Sequence, residues 1–222
     1  MRTLLLDGVD ALTALLVERA SYPSVVAAVA EHTVFLHPET VAQTGGKALF
    51  PIIRYREGRI ERGTDSKDAY GNPVILDDNK VPTDAFLSAA GLRRGRDVQF
   101  NHVWDGTSRD RDSYTALWNV CATPAFLAKT TDGKNFPEVR AALVYRAYEL
   151  YRAKPKNAEL PAKPPGYDEL VWAEPPPPVG DLSGVLRDWL RSCPKSRATK
   201  SAREIGWLFS GWKPDSSLIV AR

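Results

Sequence analysis

Val98-Gln99-Phe100-Asn101-His102-Val103-Trp104 alternates with a period of two, the pattern of a strand with one face buried. If Phe100 faces the core, His102 shares its face and Asn101 lies opposite, because successive strand side chains point to opposite sides. The residues that follow, 106–113, are polar and charged and read as a loop. Residues 114–120 read as a second strand or a compact turn laid against the first. Thr123-Pro124 then has the form of a helix start, with Thr123 as cap and Pro124 at the first helical position, and Gly133 marks the end of that helix.

Outward from this segment, Asn135-Phe136-Pro137 opens a longer helix in which Val139, Leu143, Ala147 and Leu150 repeat on one face as far as about Tyr151. Upstream, Leu12, Leu15 and Leu16, and then Val25, Val26 and Val29, recur at helical spacing. They predict two helices joined at Pro23, since proline breaks a helix interior. Residues 50–56 and 72–79 read as short strands, with Glu57-Gly58 and Arg62-Gly63 as turns of a small antiparallel sheet. A short helix capped by Thr83 follows, with Phe86 and Leu87 inward.

Residues 154–178 hold eight of the seventeen prolines and predict an extended or wrapped segment, with Trp172 docked on the body. Two amphipathic helices, near 181–191 and 201–209, close the chain. The expected class is α+β, helix-rich, with a small antiparallel sheet and a ββα core segment. Its regions are a helical and small-sheet part (1–95), the core with its following helix (96–153), a Pro-rich linker (154–180) and a basic helical end (181–222).

The 222 residues, 43% hydrophobic and 26% charged, suit an ordinary folded protein. The apolar run near the N-terminus is closed at once by Asp7 and Asp10, so no signal peptide is read, and no apolar stretch is long enough to span a membrane. Cys121 and Cys193 are too few and too far apart for a disulfide framework or a zinc finger, which favours a reducing cytoplasm. The net charge of +3 is unevenly spread. Arg93-Arg94-Gly95-Arg96 forms a cluster, and residues 187–213 carry seven basic side chains against two acidic ones, which favours a polyanionic partner.

Chemistry is concentrated in residues 101–132. His102 stands among Asn101, Trp104, Asp105 and Asn119, and an imidazole titrating near neutrality suits a general base. Phosphodiester hydrolysis needs such a base and a hard divalent cation, for which Asp or Asn oxygens are suitable ligands. At Asn101-His102, at Asn119 seventeen residues later, and at the helix start Thr123-Pro124, the sequence resembles the HNH, or ββα-metal, endonucleases. That resemblance covers some thirty residues.

The resemblance implies that His102 is the base, Asn101 a metal ligand and Asn119 the middle residue that pins the loop. It further implies Mg²⁺ or Mn²⁺ as cofactor and DNA as substrate. The third family position falls at Ala128, which binds no metal, so Asp105, Asp132 or Asn119 itself would have to take its place. Arg93, Arg94, Arg96, Lys129 and Lys134 flank the segment as phosphate contacts. The expected activity is metal-dependent DNA cleavage of the bacterial restriction or defence kind, by a homodimer if the target is palindromic.

The rival reading is a non-catalytic nucleic-acid-binding or protein-interaction module. In it His102 is a satisfied sheet histidine, Asn119 a turn-capping amide, and Trp104 and Trp118 are core. His32 and His37 are not read as a metal pair, and Gly45-Gly46-Lys47 lacks the first glycine and the Ser or Thr of a phosphate-binding loop.

Overall fold

The break at Tyr22-Pro23 falls between two helical segments in the computed structural model, which describes residues 8–54, 63–132 and 135–218. Helix α1 (Gly8–Thr13) runs into a π-helical turn (Ala14–Arg19), and α2 (Val25–His32) starts at Ser24, whose hydroxyl accepts from Ala27 N at 3.1 Å. His32 Nε2 lies 2.7 Å from the Tyr22 hydroxyl, and His37 caps α3 (Pro38–Ala42) through Nδ1. Both histidines therefore have local structural partners.

Strands β1 (Ile52–Arg54), β2 (Asp65–Lys67) and β3 (Pro73–Asp77) form one sheet in the order β1-β3-β2. β1 runs parallel to β3, with Arg54 opposite Asp77, and β2 runs antiparallel to it. The sheet is therefore mixed, where the sequence predicted an antiparallel one. Of the predicted turns, Glu57-Gly58 and Arg62 lie outside the described residues. The β2–β3 turn is held by Asp68, whose Oδ1 accepts from Tyr70 N and Asn72 N at 2.8 and 2.9 Å, while Gly71 takes a φ of +83° that a side chain would resist.

Helix α4 (Lys80–Ala90) leads to β4 (Val98–His102), which pairs antiparallel with β5 (Val120–Pro124); Val34 bridges to Ala122 at the far edge of β5. Thr123 is a buried strand residue and not a helix cap. The turn that follows β5 is a 3-10 helix, Ala125–Asp132. Helix α5 (Pro137–Tyr151) starts where the sequence places it and packs on α2 and α3. The chain closes with α6 (Leu182–Ser192) against α4, and α7 (Arg197–Glu204) against β3. The fold is α+β and helix-rich, and one buried cluster runs from Leu16 through Phe50, Trp118 and Leu143 to Trp207 and Leu218.

The Pro-rich stretch is a strap with fixed anchors. Trp172 meets Phe35 edge-on at 6.0 Å, Ala173 N donates to Ala30 O, and Val179 N donates to the Thr40 hydroxyl. Among the described residues no helix is long and apolar enough to cross a membrane.

The C-terminal turn is pinned by Asp215. Its Oδ2 accepts from Arg187 at 2.9 Å and from Trp207 Nε1 at 3.3 Å, and its Oδ1 accepts from Ser217. Burial acts to raise the pKa of this carboxyl, but the Ser217 bonds and the Arg187 charge outweigh it and hold the group below the usual carboxylate range. A carboxyl with a depressed folded pKa stabilises the fold above its unfolded pKa of about 3.9, and that contribution is lost as pH falls through the folded value. In urea titrations at stepped pH, Asp215→Asn should therefore cost most at neutral pH, with the gap to wild type closing below about pH 4. A gap that stays constant on acidification would remove the carboxylate from this role.

Candidate functional site: a pinned loop and a basic ledge

Asn119 ends a 3-10 turn (Leu117–Asn119) just before β5 and is completely buried. Its Oδ1 accepts from Trp104 N at 3.0 Å. Its Nδ2 donates to the Thr107 hydroxyl and to Ser113 O, each at 3.0 Å, while its backbone carbonyl accepts from Val103 N at 2.9 Å. Both amide hydrogens and the amide oxygen are thus engaged in holding the loop between β4 and β5. Trp104 and Trp118 are buried, and Trp118 Nε1 donates to Gly46 O at 2.8 Å.

His102, the last residue of β4, is half-buried. Its Nε2 lies 2.9 Å from Tyr114 O, and because a carbonyl only accepts, Nε2 carries the hydrogen. The imidazole also stacks on the Tyr114 ring, with centroids 5.0 Å apart at 18°. Asn101 points to the other face of the hairpin, where Nδ2 donates to the Thr123 hydroxyl at 2.8 Å and Oδ1 accepts from Gln99 at 3.3 Å. Asp105 is exposed and pairs with Arg140 of α5. The Asp132 side chain and Lys134 lie outside the described residues. Among the described residues no group of three or more His, Cys, Asp or Glu side chains is placed to hold a metal ion.

Tyr114 links this hairpin to a polar cluster that local sequence does not reveal. Its hydroxyl lies 3.3 Å from Asp77 Oδ2 and 3.1 Å from Asn79 Oδ1, and it accepts from Asn79 N at 2.8 Å. Asp77, at the end of β3, is 1% exposed; it pairs with Arg197 of α7 and accepts from Val81 N at 3.0 Å. Arg197 also reaches Asp78 at 2.5 Å. Burial pushes the Asp77 carboxyl up, against the opposing pull of the Val81 N–H and the Arg197 charge. Burial and the nearby Asp77 carboxylate likewise raise the Tyr114 hydroxyl.

The basic C-terminal helices, expected to meet a polyanionic partner, are largely engaged within the fold. Arg187 pairs with Asp215, Arg191 with Asp188, Arg197 with Asp77 and Asp78, Lys200 with Asp65, and Arg203 with Glu204. Five of the seven cations between residues 187 and 213 are accounted for in this way.

The loop from 91 to 97 presents a different surface. Arg93, Arg94 and Arg96 are all exposed on it, and Arg94 reaches back to Val98 O at 3.5 Å. Ala125 N donates to Asp97 O at 2.7 Å and Val98 pairs with Pro124, so the start of the 3-10 helix sits beside the arginine loop. That helix adds Phe126, 60% exposed, and Lys129, also exposed. Leu92 and Gln99 complete an exposed ledge at one end of the hairpin. Sequence reading named the four cations but overlooked Phe126, whose only signal was an aromatic residue two positions after the predicted helix start at Thr123-Pro124.

No family model matches the chain, and no solved structure matches it. Over 98 residues it is 26% identical to the high frequency lysogenization protein HflD homolog of Shewanella oneidensis. The matched stretch covers 44% of this chain and 48% of that protein, so the chain spans about half the length of the curated relative it matches. These findings correct the resemblance drawn from Asn101-His102 and Asn119. With no family model matched and a relative named for lysogenization, the endonuclease reading is withdrawn, and with it the restriction or defence role.

Proposed function

We propose that the chain is a non-catalytic nucleic-acid-binding module, in which Arg93, Arg94, Arg96 and Lys129 contact phosphate. The observation that carries this reading is the concentration of exposed arginines on the 91–97 loop, while most C-terminal cations are paired internally. Arginine suits the task because its planar fork matches phosphate oxygens. The hairpin and Asn119 then act as scaffold, holding the 91–97 loop against the 3-10 helix. A relative named for lysogenization rather than for a hydrolytic reaction is in keeping with such a role.

The test is fluorescence anisotropy with labelled oligonucleotides across a salt series. Removing phosphate contacts lowers affinity and flattens the dependence on salt by about one unit of slope per contact. The variant R93A/R94A/R96A is expected to lose on the order of 100-fold in affinity at low salt and about two to three units of slope. Equal affinity and equal slope in wild type and variant would refute the proposal.

A further inference from the structure

We infer that the ledge takes single-stranded nucleic acid, with Phe126 stacking on an unpaired base; this rests on the binding role proposed above for the same surface. Of the seven phenylalanines, Phe126 alone is exposed: Phe35, Phe50, Phe86 and Phe136 are buried, and Phe100 and Phe209 are half-buried. Its position is firmly set. The next two residues, Leu127 and Ala128, are 0% and 3% exposed, and the Thr130 and Thr131 hydroxyls bond back to their carbonyls at 2.6 and 2.7 Å. An aromatic ring held outward on an anchored turn, with three arginines across the Ala125–Asp97 bond, joins a flat apolar face to a cationic track.

That pairing of chemistries fits a single strand. Stacking requires a base whose face is open, and a duplex keeps its base faces covered by their neighbours. Reading a duplex major groove calls for an α-helix or a β-ribbon laid along it, whereas the ledge is a loop beside the first residues of a 3-10 helix. Gln99 and Asn101, whose amides lie 3.3 Å apart next to the ledge, add donors and acceptors suited to the edges of an unpaired base. Ring stacking is tolerant of base identity, so the expected preference is for strandedness over sequence.

The experiment compares labelled oligothymidylate with a mixed-sequence duplex of equal length, using the full chain and the variants Phe126→Ala, Phe126→Trp and R93A/R94A/R96A. Wild type should bind the single strand more tightly than the duplex. Phe126→Ala should weaken single-strand binding roughly 5- to 150-fold, as expected for one lost stacked base, with little change for duplex. Phe126→Trp should restore binding, and the melting temperature of both variants should match wild type because the side chain is exposed. Unchanged single-strand affinity in Phe126→Ala, together with an intact arginine effect, would overturn the stacking inference and leave the binding role standing. Absence of binding to either probe at low salt would overturn both.

Discussion

Asp77→Ala should lower the free energy of unfolding by about 3–5 kcal/mol, the cost of breaking a buried ion pair from one side. The carboxylate is almost wholly enclosed, and both oxygens are engaged: one with Arg197, the other with Val81 N and the Tyr114 hydroxyl. Removing it orphans a helix N-terminal N–H and leaves the Arg197 guanidinium, 19% exposed, with Asp78 as its remaining carboxylate. Asp78 is 29% exposed, so Asp78→Ala should cost only about 1 kcal/mol. The double variant Asp77→Leu/Arg197→Met should lose less than the two single losses combined, since it strands neither the buried Asp77 carboxylate nor the Arg197 guanidinium. Urea denaturation of these variants, with Asp77→Leu and Arg197→Met alone to close the comparison, gives the values. A loss below about 1 kcal/mol for Asp77→Ala would mean that the α7–β3 contact is held by packing alone.

That pair also shows where local reading of a sequence stops. Asp77 and Arg197 are 120 residues apart, and neither the acids after an apolar strand nor a basic C-terminal stretch indicates that one neutralises the other. The same strand end explains the misplaced start of α4. Thr83 has the chemistry of a cap, yet the helix begins three residues earlier, because Asp77 supplies the acceptor for Val81 N and Asn79 adopts a left-handed φ of 80°. Thr83 instead bonds back to Asn79 O from within the helix.

Patterns of short period were legible. The alternation around Phe100 gave β4, with Phe100 meeting Phe86 at 5.4 Å, and the Asn135-Phe136-Pro137 start gave α5. Trp172 in the proline-rich strap docks as its size and composition predicted. Thr123-Pro124 misled because cross-strand partners override a local helix signal: Thr123 sits opposite Gln99 and accepts from Asn101. Parallel pairing of β1 with β3 is set by strands that are not neighbours in sequence, so no hairpin signal announces it. A histidine and an asparagine at a suggestive spacing likewise say nothing of what each bonds. Here one imidazole N–H goes to a carbonyl and every amide hydrogen of Asn119 goes to the loop.

Asn119→Ala should destabilise the protein by about 3–5 kcal/mol, the second large effect expected, because truncation leaves Trp104 N inside the protein without its acceptor, takes a donor from the buried Thr107 hydroxyl, and leaves Ser113 O with Ala116 N alone. The loss should be concentrated in the loop, so amide exchange between residues 103 and 116 should speed up more than exchange in α5, which does not depend on this side chain. Asn119→Asp separates the contributions. It retains an acceptor for Trp104 N but sets a carboxylate against the Ser113 carbonyl and buries a charge, so at neutral pH it should be at least as damaging as alanine. Its folded pKa would be raised, since the native site favours a neutral group that can donate. Its deficit is therefore full above that raised value and shrinks as pH falls toward the unfolded carboxyl pKa of about 3.9, where the protonated acid reproduces the donor of the amide. Stability curves for wild type and Asn119→Asp that converge on acidification would show that hydrogen-bond donation, and not side-chain volume, fixes the loop. Curves that run parallel from neutral to acid pH would refute that.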